Sequence, residues 1–139
     1  MLITQTEIRV RYADTDQMQF IYNGKYLEYF EVGRTEMLRE ISLPYHTLEK
    51  EGYQLPVLEA SVKYHQAGYY DDVLIIKSFL KDYPSLKIKI NYEVLRKSTN
   101  DLIAEGFTIH AFIKKDIKKI IRPPDIFINS VKKFFPDNV

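Results

Sequence analysis

The stretch from Asn23 to Ile41 constrains the fold more than any other. Tyr22, Tyr26, Tyr29, Phe30, Gly33 and Met37 recur at steps of three and four residues, the period of one helix face. Leu27, Leu38 and Ile41 widen that stripe, and Lys25, Glu28, Glu31 and Arg39 hold the remaining side. So broad a stripe predicts a helix covered on much of its circumference rather than one lying on a surface. Pro44, just beyond its end, reads as a stop.

Nearly everything around this helix has the period of a strand. Residues 3–11 alternate, with Ile8 and Val10 on one face. Residues 55–65 put Leu58, Ala60, Val62 and Tyr64 on one face and Glu59, Ser61, Lys63 and His65 on the other, away from the helix. Residues 72–81 are almost continuously apolar, as a central strand is. Residues 86–96 alternate, with Leu86, Ile88, Ile90, Tyr92 and Val94 inward. Residues 101–115 carry Ile103, Phe107, Ile109, Ala111 and Ile113 on one face and Ala104, Gly106, Thr108 and His110 on the other. Gly106 there admits the close approach of another backbone. Short turns between the last three of these strands suit antiparallel hairpins. A final strand is expected at 117–121. Pro123 and Pro124 then lead into a short helix with Phe127, Val131 and Phe134 on one side. One long apolar helix among antiparallel strands predicts an α+β fold, the helix lying against a curved antiparallel sheet. The 139 residues suit one domain.

Composition narrows the chemistry. A formal net charge of +1 leaves no basic excess for nucleic acid. The absence of cysteine excludes disulfides, thiolate nucleophiles and cysteine zinc sites. The N-terminus has no signal-peptide pattern, and no apolar run is long enough to span a bilayer, so no membrane partner is expected. His46, His65 and His110 are scattered without metal-ligand spacing and read as single, exposed or hydrogen-bonded histidines. No serine sits in a nucleophile elbow, and the five glycines form no phosphate loop.

What remains is "RYADTDQMQFIYNGKYLEYF", residues 11–30, with Asp14 and Asp16 among aromatics. Asp and Thr commonly order turns before helices, which accounts for both acids without chemistry. The alternative has physical content. Asp16 lies near the predicted helix start, where the first N–H groups lack internal partners. A carboxylate on one side of that end and free N–H groups on the other can flank a polarised carbonyl. Lysines and arginines on strand faces and ends, Lys63, Lys87, Lys89, Arg96 and Lys97 among them, could pair with phosphates, though a solvated surface explains most of them.

These residues resemble the signature of the hotdog-fold acyl-CoA thioesterases, the group that includes 4-hydroxybenzoyl-CoA thioesterase. Tyr12, Asp14, Thr15, Asp16, Ile21, Tyr22 and Tyr26 match its pattern of an aromatic, two aspartates and an aromatic before the helix. "LPVLEASVKYHQAGYYDDVLIIKSF" resembles the family's second block, and the likeness runs from about Ile8 to Phe112. The resemblance implies a curved antiparallel sheet wrapped around one long helix. It also implies a cytoplasmic enzyme without cofactor or metal, and homo-oligomers, dimeric or tetrameric, with active sites between subunits. It makes Asp16 the catalytic carboxylate and Asn23, with Gly24, the backbone donor that polarises the thioester carbonyl. Phe20, Tyr22 and Tyr26 then line the substrate site, and Asp14 orders the loop. The substrate is an acyl-CoA, or the thioester of an acyl-carrier protein.

Two positions depart from the pattern. Gln19 stands where the family has glycine, and Asn23 where several members have histidine. Gln19 keeps open a second reading, a non-catalytic module that binds acyl-CoA or acyl-carrier protein. A hotdog dehydratase ranks last, because such enzymes pair a histidine with the acid and Asp16 has no evident histidine partner.

Overall fold

The computed structural model describes residues 1–138. Five antiparallel strands form the main sheet: β1 (Leu2–Arg9), β3 (Val57–Tyr64), β4 (Val73–Leu80), β5 (Ile88–Arg96) and β6 (Leu102–His110). Their order is β1-β4-β5-β6-β3, so the ends of the sheet are β1 and β3. The continuous apolar run does lie inside the sheet: β4 pairs with β1 on one side and β5 on the other.

The helix α1 (Lys25–Glu40) packs on one face of the sheet. Tyr26, Tyr29, Phe30, Gly33, Met37 and Leu38 are buried, in the stripe that the periodicity predicts. Phe30 stacks on Tyr92 of β5 with ring centroids 4.3 Å apart and planes at 5°. Each of these fully buried aromatics contributes roughly 1.5–3 kcal/mol by leaving water. The helix begins at Lys25, two residues later than the periodicity implied, because Asn23 and Gly24 form a turn in which Lys25 N–H donates to the Tyr22 carbonyl. It ends before Pro44 is reached. Ser42 takes a left-handed φ of 62°, and the N–H groups of Ser42 and Leu43 close back on the carbonyls of Arg39 and Leu38.

The expected coverage of this helix needs correction. Leu27, placed in the buried stripe by its spacing, is 43% exposed, and Val32 is 37% exposed. The sheet covers one side of α1, and within one chain the opposite side meets solvent.

Other departures have local causes. Residues 101–115 do not form one strand. Ala111 and Phe112 are both buried, which breaks the alternation, and the chain leaves the sheet. It continues as β7 (Phe112–Lys114) in a small sheet with β2 (Tyr53–Gln54) and β8 (Ile120–Ile121), which is the shortened form of the final strand expected at 117–121. A helix that periodicity missed, α2 (Tyr45–Lys50), precedes β2. Leu86, expected inward, is exposed because β5 starts only at Ile88. In the C-terminal helix α3 (Asp125–Val131), Phe127 and Val131 are buried, while beyond it Phe135 rather than Phe134 completes the core.

Strand β3 carries a bulge between Val57 and Glu59. The bulge puts Val57, not Leu58, on the face shared by Ala60, Val62 and Tyr64, whose partners on β6 are Thr108, Gly106 and Ala104. Gly106 is where the sheet comes closest to its neighbours. A Cβ there would stand 2.0 Å from the Ser61 carbonyl oxygen and 2.8 Å from the Phe30 ring.

Candidate active site

The segment between β1 and α1 turns back on itself twice. Asp14 sits at the first turn and is buried. Its Oδ2 accepts the Arg11 N–H at 3.0 Å and the Tyr29 hydroxyl at 3.1 Å, and its Oδ1 accepts the Arg11 guanidinium at 3.1 Å. Lys25 Nζ lies 3.6 Å from Oδ1. Burial alone would raise this carboxyl, but the hydrogen bonds from Arg11 and Tyr29 outweigh it and hold Asp14 below the usual carboxylate range. The same contact, after burial, pushes the Tyr29 hydroxyl far up. Asp14 thus ties the end of β1 to the first two turns of α1.

Asp16 is exposed and occupies the second turn. Its backbone pairs with Phe20, and its Oδ1 accepts the N–H groups of Met18 at 2.9 Å and Phe20 at 3.3 Å. Its Oδ2 has no hydrogen-bond partner among the described residues. Gln19 closes the turn with φ 68°, the left-handed geometry that glycine adopts freely and a residue with a Cβ adopts at a cost. The backbone shape that a glycine would permit is therefore present despite the glutamine. The turn is pinned by bridges from Thr15 to Ile21 and from Phe20 to Tyr69, whose rings meet edge to face at 5.7 Å.

A cavity of about 410 Å³ gathers most of the residues singled out in the sequence: Asp16, Phe20, Tyr22, Asn23 and Tyr26 line it. Gly24 does not. It lies beneath the Tyr22 ring, where a Cβ would be 2.8 Å from Cε2, so its small size lets that ring fold over the helix start. The backbone N–H groups of Asn23 and Gly24 make no hydrogen bond among the described residues, so both orphan donors of the helix start remain open. Tyr26 is buried, and that burial, with Tyr64 nearby, pushes its hydroxyl up to about 12, so it stays a neutral donor.

Periodicity missed the opposite wall, which the end of β3 supplies as Tyr64 and His65. The Tyr64 hydroxyl donates to the Asn23 carbonyl at 3.0 Å, and its ring meets Tyr26 at 5.3 Å. His65 Nε2 lies 2.7 Å from Glu105 Oε2. The sequence treats His65 as an isolated histidine, but the fold brings it into the same cavity as Asp16. Its only signal was its place next to Tyr64, at the end of a strand whose registry fixes that end over α1. None of the lysines and arginines that could meet phosphates lines the cavity. No helix among the described residues is long and apolar enough to cross a membrane.

Comparison with known proteins agrees with this layout. DHNA-CoA thioesterase from Staphylococcus aureus superposes with a TM-score of 0.83 at 32% identity, over 99% of this chain and 86% of that one. A Thermus thermophilus protein of undescribed function gives 0.86 at 30% identity, over 93% and 97% of the two chains. YneP of Bacillus subtilis, provisionally named an acyl-CoA thioesterase, is 29% identical over 99% of this chain and 93% of its own length. The α+β architecture, with its antiparallel sheet and α1 on one face, is accordingly the hotdog fold. Residues 10–131 match the model of one family, and the chain belongs to it: the Thioesterase-like superfamily.

Proposed function

We propose that the protein is an acyl-CoA thioesterase, one domain over residues 1–139, that hydrolyses a thioester to a free acid and coenzyme A. The observation that carries this reading is the meeting of Asp16 and the α1 start in one cavity, the carboxylate with one oxygen fixed and the other unengaged. The names of full-length relatives support the same class of substrate.

In this mechanism the thioester carbonyl lies between Asp16 and the open N–H groups of Asn23 and Gly24. Those donors and the positive end of a 16-residue helix stabilise the oxyanion as it forms. Either Asp16 takes a proton from a water that attacks the carbonyl carbon, and the C–S bond breaks to give the free acid directly, or Asp16 attacks the carbon itself, the C–S bond breaks, and a water then hydrolyses the acyl–Asp16 anhydride to the free acid and restores the carboxylate; in both the coenzyme A thiolate leaves and is protonated. Phe20, Tyr22 and Tyr26 hold the acyl group beside the carbonyl. The left-handed turn at Gln19 favours this reading over a binding module, because the feature that made turnover doubtful leaves the loop shape intact. The exposed edge strand β3 supports a homodimer or tetramer built by covering that edge.

The test is thiol release from a panel of acyl-CoAs, short aliphatic through long-chain to aromatic. Turnover on one or more supports the reading, and the best substrate reports the acyl class. Saturable binding of several acyl-CoAs without release would favour the binding module instead.

A further inference from the structure

His65 and Glu105 form a pair to which the mechanism above gives no role. His65 lines the Asp16 cavity, and its Nε2 lies 2.7 Å from Glu105 Oε2. Two sets of contacts hold it there. On one side, the His65 N–H donates to the Ile103 carbonyl of β6 at 2.9 Å. On the other, the segment that follows His65 grips the Asp16 turn: Ile21 N–H donates to the Gly68 carbonyl at 2.9 Å, and Phe20 bridges to Tyr69. All of these contacts lie within one chain, and β6 flanks β3 on the side away from its free edge. A second subunit covering that edge leaves them in place.

The pairing fixes the chemistry of the ring. A carboxylate only accepts, so Nε2 carries the proton toward Glu105 and Nδ1 is the basic nitrogen. The same carboxylate stabilises the imidazolium that forms when Nδ1 takes up a proton. As a surface ion pair alone the contact would contribute little. Its place beside Asp16 gives it a use, and with 31% of the His65 side chain and 47% of the Glu105 side chain exposed, water reaches both. The other groups that line the cavity offer no comparable base. Asn23 and Gln66 are amides, Tyr64 donates its hydroxyl to the Asn23 carbonyl, and the Tyr26 hydroxyl is pushed up to about 12. Tyr22 presents a phenol, whose oxygen is a poor base.

We propose that His65 is the base of a second chemical step, the hydrolysis of the acyl–Asp16 anhydride, with Glu105 as its positioning residue. The inference rests on the hydrolase reading and selects its covalent route, in which Asp16, once acylated, can no longer serve as a base. The water oxygen bonds to the acyl carbon and its proton passes to His65 Nδ1. The bond from that carbon to the Asp16 oxygen breaks, which frees the acid and returns Asp16 as a carboxylate. The imidazolium then gives its proton to solvent.

Rapid-quench thiol release from the best acyl-CoA of the panel tests this, with wild type, His65→Ala, Glu105→Gln and Asp16→Asn compared after a melting curve shows each folded. His65→Ala should release about one thiol per chain at nearly the wild-type rate and then slow by about 100-fold. Acid-quenched His65→Ala should carry the mass of one acyl group on the peptide that contains Asp16, and added imidazole should speed its second phase. Glu105→Gln should show a smaller slowing of the second phase alone, and Asp16→Asn should lose the first phase. His65→Ala turning over like wild type, or slowed equally in both phases without an acyl adduct, would overturn the inference and leave the hydrolase reading standing. Wild type that releases no thiol from any acyl-CoA would overturn both.

Discussion

Asp14 and Asp16 are two residues apart and live in opposite conditions. Asp14 is buried, accepts three hydrogen bonds and has a lysine nearby, so every oxygen is committed. Asp16 is exposed, holds its own turn with one oxygen and leaves the other unengaged. The difference teaches how one short loop divides its work. A carboxylate whose bonding is saturated can only hold structure, and one held by half of its lone pairs is both positioned and available.

The sharpest way to break this comparison is Asp14→Asn. It removes the charge that Arg11 and Lys25 face and misplaces an N–H₂ among donors, and it should cost about 2–4 kcal/mol in urea unfolding. A loss under about 0.5 kcal/mol would mean that Asp14 does not hold the loop.

A second test concerns acid. His110, fully buried, is held down to about 4, first by burial and then by the charge of Arg34. The unfolded chain takes up this proton near pH 6.5. Because the folded value is depressed, His110 contributes stability that is complete above about pH 6.5 and is lost as pH falls through about 4. Asp14 is depressed too, and its share persists to lower pH, waning only below the unfolded value of about 4. Unfolding free energy should therefore fall between pH 6.5 and 4 in the wild type and less in His110→Gln. An equal slope in both would place the acid sensitivity elsewhere.

A smaller effect is expected at the Asp16 turn. Gln19→Gly relieves a left-handed residue worth roughly 1–2 kcal/mol and adds unfolded-state entropy of about 0.4–1 kcal/mol. The net should lie between no change and a gain of about 1.5 kcal/mol, with turnover preserved. A loss of stability would show that the Gln19 side chain is itself a contact. The smallest effect belongs to Asp16→Asn, whose carbonyl oxygen can still accept the Met18 and Phe20 N–H groups. Its melting should stay within about 0.5 kcal/mol of wild type, and a larger drop would make Asp16 a structural residue like Asp14.

Much of this arrangement was legible in the sequence. Tyr26, Tyr29, Phe30, Gly33 and Met37 fix the buried face of α1, because helical spacing records which side meets the sheet. The near-continuous apolar run of β4 records a strand with neighbours on both sides. Leu27 was misread because its spacing was correct and its cover is missing within one chain, and periodicity cannot say which part of a wide stripe the sheet reaches. The split of residues 101–115 turns on Ala111, too small to mark a corner by its own hydrophobicity. In the site, Asp16, Phe20, Tyr22, Asn23 and Tyr26 are close in sequence and were found together. Tyr64 and His65 arrive from a strand some forty residues away, and Glu105 reaches His65 only through the pairing of β3 with β6. Contacts made by sheet registry leave no local pattern to read.

The most direct test of the division between the two aspartates is thiol release from the best acyl-CoA of the panel by wild type, Asp16→Asn and Asp14→Asn. It should be run at a temperature where all three are folded and expressed per folded molecule. The account predicts a loss of at least ~100-fold for Asp16→Asn, with Asp14→Asn far closer to wild type. Turnover retained in Asp16→Asn, or lost equally in both, would contradict it.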